Sequence, residues 1–182
     1  GGNAMKLVCM ADTHGKHEQV EVPDGDVLIH AGDFTNFGPR WESFEGWYAR
    51  QPHDHKIIIL GNHEKSGLSD VAIGLLVGSQ HFTYLTNCAR DHVTIEGVTF
   101  SLVEVANAVE PDVVISHAPP TGILGGMGIR SNTIREALER VDFDVHVFGH
   151  IHESYGQIEQ GSRTFINASI ESNSGMLNDP IT

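Results

Sequence analysis

Residues 6–14 read KLVCMADTH: a continuous apolar run changes within two positions into a loop that carries Asp12 and His14. An unbroken apolar run of this length is typical of a strand that is buried on both faces of a sheet. In layered α/β proteins, the loops at the carboxyl ends of the strands converge on one edge, where ligands bind. The stretch therefore predicts a buried strand that ends at a site shared with other loops.

Four further apolar runs end in the same way, with Asp, Asn or His within a few positions. They are residues 27–33 (VLIHAGD), 57–64 (IIILGNHE), 113–117 (VVISH) and 145–152 (VHVFGHIH). One strand end of this kind would carry little information. Five of them predict that polar residues far apart in the sequence meet at one edge of the fold.

The intervals between these runs predict helices and hairpins. Apolar residues in 134–141 recur at helical spacing. Thr133 and Glu136, at the start of this segment, have the spacing of a capping box. Residues 41–50 are a second, weaker candidate helix. Two other segments predict antiparallel pairs, 93–100 around Glu96-Gly97 and 157–166 around Gln160-Gly161. Together these patterns predict an α/β (α+β layered) fold, with a central mixed sheet core flanked by helices.

The length of 182 residues fits one domain with a real core. Residues 1–4 are interpreted as the remnant of an expression tag before Met5, which leaves residues 5–182 as a single domain. No apolar run approaches the roughly 20 residues of a membrane span, and we find no signal peptide, so a cytoplasmic location is expected. Neither Cys9 nor Cys88 lies in a paired-cysteine motif, and both are expected to be reduced and buried.

The formal net charge is −13, from 24 acidic and 11 basic residues. Surfaces for duplex nucleic acid usually carry clustered lysine and arginine, so duplex nucleic acid is an unfavoured partner. A pair of divalent cations needs compensating carboxylates, and such a centre still attracts a phosphate. The charge is therefore compatible with small phosphate-ester substrates, and it does not indicate the oligomeric state.

Seven polar residues at the five strand ends are candidate metal ligands. They are Asp12, His14, Asp33, Asn62, His117, His150 and His152. Two carboxylates, one amide and four imidazoles suit manganese, iron, zinc or cobalt better than magnesium, calcium or copper(I). Seven ligands are too many for one catalytic ion and fit two divalent ions that share a carboxylate. Two ions roughly 3.5–4 Å apart can hold a hydroxide and clamp the attacking and leaving oxygens of a phosphoryl group.

In this order, the motifs resemble those of the calcineurin-like metallophosphoesterases, and the resemblance extends from residue 12 to residue 152. The segments HAGDFT, GNHE, GHIHE and INAS are similar to those of the metallophosphoesterase-domain proteins. This subgroup of the family includes phosphodiesterases. The resemblance implies the metallophosphoesterase fold, in which two β-sheets pack as a sandwich. It also implies two metal sites: Asp12, His14, Asp33 and His152 for one ion, and Asp33, Asn62, His117 and His150 for the other, with Asp33 bridging.

The resemblance further assigns His63 to the phosphate, where it would assist the leaving group beside Asn62. Glu64 and Asn36 are then supporting residues outside the ligand set, and Glu64 is expected to fix the loop or an imidazole. Asn36 and Phe37 occupy the positions at which the protein-phosphatase branch has an acid and an arginine. The missing arginine counts against a phosphoprotein phosphatase. The missing acid removes the usual partner of His63, although another carboxylate could replace it.

The leading hypothesis is a metal-dependent phosphodiesterase for small phosphodiesters, with a cyclic nucleotide as the first substrate to try. The alternatives are a broad phosphomonoesterase or nucleotidase, a nuclease, which the acidic charge disfavours, and a non-catalytic scaffold of the same fold. The complete ligand set, including His150, favours catalysis. Residues 100–113 are shorter than the insertion usual in the related subgroup, and we expect specificity to depend on this segment.

The remaining histidines have ordinary structural interpretations. His30 and His146 lie within apolar runs and are expected to be buried with satisfied nitrogens. The others are expected to be hydrogen-bonded loop residues: His17, His53, His55, His81 and His92.

Overall fold

A computed structural model of the chain describes residues 4–125 and 132–182, which contain two β-sheets. The first sheet has four parallel strands in the order β1-β2-β3-β4: Leu7–Met10, Val27–His30, His55–Ile58 and Thr83–Tyr84. The second is mixed, in the order β5-β6-β7-β8-β10-β9: His92–Ile95, Val98–Leu102, Val113–Ile115, Val145–Phe148, Arg163–Asn167 and Gly156–Gln160. The antiparallel pairs β5–β6 and β9–β10 confirm the two predicted hairpins.

The described ranges also contain five α-helices. They are α1 Trp41–Ala49, α2 Asn62–Gly67, α3 Asp70–Val77, α4 Ala106–Val109 and α5 Asn132–Glu139. Within the described ranges, no helix is both long and apolar enough to cross a membrane. Helix α5 begins at Asn132, so Thr133 lies inside the helix and is not its N-cap. The predicted capping box is therefore wrong, because the helix begins before the residue that was expected to cap it.

The main core lies between the two sheets. Alternate residues of a strand point to opposite faces, and Cys9, Ile29 and Ile57 of the first sheet all face this core. Phe100 and Ile115 of the second sheet face it from the other side and are fully buried. The packing confirms the sandwich that the family resemblance implied.

Each sheet also buries its outer face under helices, which explains why the strands are apolar on both faces. Met10 and Leu28 pack against Phe44 and Tyr48 of α1. On the second sheet, the outer face packs against Leu138 of α5 and against α4. The order of layers is therefore helix, sheet, sheet, helix, and the predicted fold class is confirmed.

The loops after the parallel strands continue the hydrogen bonding of the sheets. The Asp12 amide donates to the Gly32 carbonyl, which joins the loops after β1 and β2. Ala11 forms an isolated parallel bridge with Ser169, beyond the end of β10, and so connects the carboxyl edges of the two sheets. Residues from both sheets are thereby held at one common edge.

The two cysteines differ in environment. Cys9 is buried in the core between the sheets, and burial raises the pKa of its thiol to about 12. Cys88 is exposed on a turn after β4, so the expectation that both thiols are buried is wrong for Cys88. The short segment 86–90 closes on itself through a hydrogen bond from the Thr86 amide to the Arg90 carbonyl, and it has too few residues to bury a side chain at its tip.

Candidate metal centre

The strand-end histidines and aspartates predicted from sequence meet at the shared edge of the two sheets. The potential metal-ligating atoms form three overlapping groups within 4.8 Å: Asp12, His14 and His152; Asp33, His117 and His150; and His14, Asp33 and His63. Asn62 adjoins the second group, because its Oδ1 lies 2.9 Å from the His117 Nε2. All seven predicted ligands are thus brought together, and two clusters correspond to the predicted pair of sites.

Asp12 is fully buried, and its two carboxylate oxygens have different surroundings. Oδ2 accepts hydrogen bonds from the His150 amide and the Ser169 hydroxyl, each at 2.7 Å. Oδ1 is buried without a hydrogen-bond partner among the described residues. Three imidazole nitrogens surround it at 3.6–3.9 Å, from His14, His117 and His152. A buried anionic oxygen ringed by nitrogens beyond hydrogen-bond distance matches the environment of a metal ligand.

Asp33 lies between the two clusters. Its Oδ2 is 3.1 Å from the His117 Nε2 and 3.9 Å from the His14 Nε2, so it faces one imidazole from each cluster. Its Oδ1 accepts the His63 amide at 3.0 Å, which fixes the orientation of the carboxylate. Asp33 therefore faces both clusters, which agrees with the bridging role that the family resemblance implies.

The histidines of each cluster bring their nitrogens close together. The Nε2 atoms of His14 and His152 lie 3.3 Å apart, and the His150 Nδ1 lies 3.2 Å from the His117 Nε2. Atoms bound at ~2.1 Å to the same ion stand roughly 3–3.5 Å apart at tetrahedral or octahedral angles. Neutral imidazole nitrogens at such distances repel unless a proton or a cation lies between them.

Backbone hydrogen bonds orient two of these rings. The His117 Nδ1 lies 2.8 Å from the Ala31 carbonyl, and the His14 Nδ1 lies 3.1 Å from the Thr35 carbonyl. A carbonyl oxygen only accepts, so each Nδ1 carries the proton and each Nε2 presents a lone pair to the cluster. This is the arrangement by which outer residues orient metal-binding histidines.

The ligand loops adopt backbone conformations that side chains usually avoid. Asp12, His14, Asp33 and His150 have φ values of 53°, 44°, 58° and 72°, in the left-handed region. Such residues cost about 1–3 kcal/mol each and collect at functional sites. Gly149 meets a further constraint, since a Cβ there would lie 2.5 Å from the Asp12 Oδ2. These backbone conformations lower the local stability of the loops and direct the ligand side chains to one point.

The electrostatics follow from packing two carboxylates among four imidazoles. Burial alone would raise the pKa of Asp12, but His152, His117 and Ser169 outweigh it and hold the carboxyl pKa well below its ordinary value. Burial likewise opposes protonation of His117, yet the adjacent Asp33 and Asp12 raise its pKa to about 9. A metal ion would take the place of this proton, because it supplies the same positive charge to the same oxygens.

Glu64 is a supporting residue, as its position after Asn62 suggested. It is fully buried in α2, and its Oε1 accepts the Asp33 amide at 2.7 Å and the Gly61 amide at 3.0 Å. Its Oε2 accepts the amide and hydroxyl of Thr35. One carboxylate therefore joins the loop after β2 to the loop after β3, which carry Asp33 and Asn62.

His63 has no carboxylate beside its Nδ1. That atom is buried without a hydrogen-bond partner among the described residues. The ring instead stacks on Phe37, with centroids 3.9 Å apart and planes inclined by 14°. Its Nε2 lies 3.9 Å from the Asp33 Oδ2, at the edge of the clusters. Phe37 thus fixes the position of the His63 ring, which the missing acid would otherwise have done. The sequence did not predict this role.

Two functional residues lie in a segment to which the sequence analysis gave no role. Ser169 donates from Oγ to Asp12, and the Asn167 Oδ1 accepts the backbone amide of Ser169 at 3.2 Å. The Asn167 amide in turn donates to the Ile151 carbonyl, between His150 and His152. The motif INAS, residues 166–169, was the available signal, and its function is to support the carboxylate and the histidine loop.

The other sequence interpretations have mixed outcomes. Asn36 is exposed at the rim, and none of the described hydrogen bonds involves its side chain. His30 is buried with both nitrogens paired, to Thr13 and to the Gly32 amide, as predicted. His146 is buried but pairs only through Nε2, with Ser116. His55 and His92 begin strands and are not loop residues.

At the carboxyl edge of this four-layer α/β sandwich, loops bring two buried aspartates and four imidazoles together. This arrangement is that of a metal-dependent hydrolytic centre. The calcineurin-like phosphoesterase family matches residues 5–154, and the chain belongs to this family. Its members use divalent metal ions and act on phosphate esters, in agreement with the donors described above.

Two relatives illustrate the range of similarity. A UPF0046 protein of Caenorhabditis elegans is 38% identical over an alignment that covers 91% of this chain and 69% of the relative. The human metallophosphoesterase domain-containing protein 1 is 31% identical, with coverage of 91% and 66%. The chain thus spans about two thirds of the length of these relatives. Among solved structures, a protein of unknown function from Aquifex aeolicus has the same fold, with a TM-score of 0.52, 20% identity and coverage of 98% and 95%.

Proposed function

We propose that this metal-dependent phosphoesterase is a phosphodiesterase that binds two divalent ions and acts on small phosphodiesters. The observation that carries the proposal is the buried, unpartnered Oδ1 of Asp12 within a ring of imidazole nitrogens. Two bound ions supply a nucleophile at neutral pH and stabilise the charge that develops on the phosphoryl oxygens. Manganese, iron and zinc all suit the nitrogen and oxygen donors.

The protein residues have distinct roles in this proposal. Asp12, His14 and His152 would hold one ion, and Asn62, His117 and His150 would hold the other, with Asp33 available to both. Glu64 and Ser169 hold the two carboxylates in place. His63 faces the substrate phosphate at the edge of the clusters and donates a hydrogen bond toward the leaving oxygen.

Charge favours a diester over a monoester. A phosphomonoester carries about one more negative charge than a diester at neutral pH and benefits from a free cationic side chain. The groove beside the centre is lined by His14, His63 and Lys16, and Lys16 is already paired with Glu171 at 3.0 Å. The arginine of the protein-phosphatase branch is replaced by Phe37. A diester, with one charge, matches this groove better.

The test is elemental analysis of the purified protein, paired with hydrolysis of bis(p-nitrophenyl) phosphate and p-nitrophenyl phosphate with added manganese. About two metals per chain and a clear preference for the diester are expected. A preference for the monoester would replace the diesterase with a phosphomonoesterase or nucleotidase. Failure to bind metal, with no hydrolysis under any divalent ion, would favour a non-catalytic scaffold. Cyclic nucleotides are the first natural substrates to assay.

A further inference from the structure

A second recess adjoins the metal centre on the side of His117. We call it the leucine cavity: it has a volume of about 230 Å3 and one apolar side, formed by Ile59, Leu60, Leu85 and Leu102. The rest of its lining is polar and comes from Lys65, Thr86, Asn87, Cys88, Glu104, Ser116 and His117. The groove on the side of His14 and His63 has a similar volume of about 230 Å3 but is lined mainly by charged and polar residues. The two recesses share no lining residue, so a substrate at the centre meets a recess with one apolar side near His117 and a fully polar groove near His14 and His63.

The walls of the leucine cavity come from ordered parts of the fold. Leu85 directly follows β4 and Leu102 ends β6, and both also belong to the core between the sheets, so they form a fixed apolar floor. Cys88 also lines the cavity, on a turn closed by a hydrogen bond from the Thr86 amide to the Arg90 carbonyl. Leu102 also begins the segment that replaces the longer insertion expected for this subgroup.

We infer that the leucine cavity is a subsite for a flat, apolar ring on the ester group that the substrate retains, and this inference rests on the proposed phosphodiesterase function. His63 lies on the other side, beside the polar groove, so the leaving group is placed there and the retained group is placed beside His117. A dry cavity of about 150 Å3 lined by leucine, isoleucine and phenylalanine accommodates benzene. A cavity of about 230 Å3 therefore accepts one aromatic ring or a somewhat larger flat heterocycle.

Cys88 provides a probe of the cavity that does not depend on turnover. It is the exposed one of the two cysteines in the chain, whereas Cys9 is 1% exposed. The manganese-loaded protein is alkylated with iodoacetamide, and the rate at Cys88 is followed by mass spectrometry with diphenyl phosphate or dimethyl phosphate present. Diphenyl phosphate is expected to slow alkylation about fivefold or more, and dimethyl phosphate less than twofold. Equal rates with the two diesters at every concentration would overturn the subsite.

Kinetics with a constant leaving group give an independent measurement. p-Nitrophenyl phenyl phosphate and p-nitrophenyl methyl phosphate release the same phenolate and differ only in the retained group. Burial of a phenyl ring predicts about a tenfold higher kcat/KM for the phenyl ester. After Cys88 is alkylated with N-phenylmaleimide, the preference is expected to fall toward one, because the attached ring fills the cavity. Equal kcat/KM values before alkylation, or an unchanged preference after it, would contradict the subsite.

A control separates this inference from the proposed function. The Cys88→Ser protein, treated with the same maleimide, is expected to keep whatever preference it had before treatment, since Cys9 is inaccessible. If the manganese-loaded protein hydrolyses neither nitrophenyl ester, the phosphodiesterase is wrong. The protection of Cys88 by diphenyl phosphate still reports on the cavity in that case. Protection without hydrolysis would support an aryl-phosphate binding site in a non-catalytic protein.

Discussion

The two ends of the four-stranded sheet are both rich in histidine, yet only one of them is built as a metal centre. At the amino end, His55 and His81 line a cavity of about 500 Å3 with Lys56 and Arg90. This cavity is larger than either recess of about 230 Å3 beside the metal clusters. In the described ranges, however, groups of three or more metal-ligating atoms occur only at the carboxyl end.

The difference lies in the carboxylates. Asp12 and Asp33 are buried beneath the imidazoles at the carboxyl end, where a desolvated negative charge attracts cations strongly. The carboxylate that lines the amino-end cavity belongs to Asp54, which is exposed and solvated. Cavity volume therefore does not identify the site. Buried aspartates that lack enough protein donors do identify it.

The largest expected effect comes from Asp33→Asn. The change removes one negative charge and one shared ligand, so both ions bind more weakly, and kcat/KM for bis(p-nitrophenyl) phosphate is expected to fall on the order of 10^3-fold or more. Metal content, measured by elemental analysis, is expected to fall with it. The matched control is Asp54→Asn at the other end of the sheet, with an expected change of less than twofold. Full metal content and normal turnover in Asp33→Asn would rule out the bridging role.

His63→Ala is expected to lower kcat about 10^2-fold with metal content near normal, because His63 acts on the leaving oxygen. The loss is expected to be larger for a diester with a poor leaving group, such as methyl phenyl phosphate, than for bis(p-nitrophenyl) phosphate. His81→Ala, at the amino-end cavity, is the control for removal of an exposed imidazole. If His63→Ala loses metal instead, then His63 is a ligand of the His14–Asp33 group.

Much of the fold and of the candidate ligand set could be predicted because the signals are local. Apolar runs such as 6–10 and 27–29 identify strands that are buried on both faces, and the polar residue that follows each run is fixed at the strand end. The parallel pairing of β1, β2 and β3 then brings those ends to one edge.

The remaining features depend on contacts between distant segments, which a single sequence does not show. The exposure of Cys88 follows from the closure of the 86–90 turn after β4. The role of Ser169 follows from the bridge between Ala11 and Ser169, beyond the end of β10. The stacking of Phe37 on His63 depends on a close backbone approach between Phe37 and Gly67, at the end of α2. No local pattern predicts such an approach.

Phe37→Ala is expected to have an intermediate effect, because Phe37 acts only through His63. An aromatic pair contributes about 0.5–1.5 kcal/mol, so kcat is expected to fall about threefold to tenfold with KM and metal content nearly unchanged. Phe37→Tyr is expected to restore most of the loss, since the ring that stacks is retained. In the His63→Ala background, Phe37→Ala is expected to add little. Additive losses in the double variant would show that Phe37 acts independently of His63.

The smallest effect is expected from His55→Ala, and it tests the comparison most directly. His55 begins β3, whereas Asn62 follows the other end of that strand, so the substitution changes an imidazole at the amino end of the same strand that leads to the centre. Its side chain is half-buried and forms none of the described hydrogen bonds, so the free energy of unfolding is expected to change by about 1 kcal/mol or less. The kcat, the KM and the metal content are expected to stay within twofold of the unmodified protein. A large loss of activity in a protein that still binds two metals would mean that the amino end communicates with the centre through β3, and the two ends of the sheet could then no longer be treated as separate.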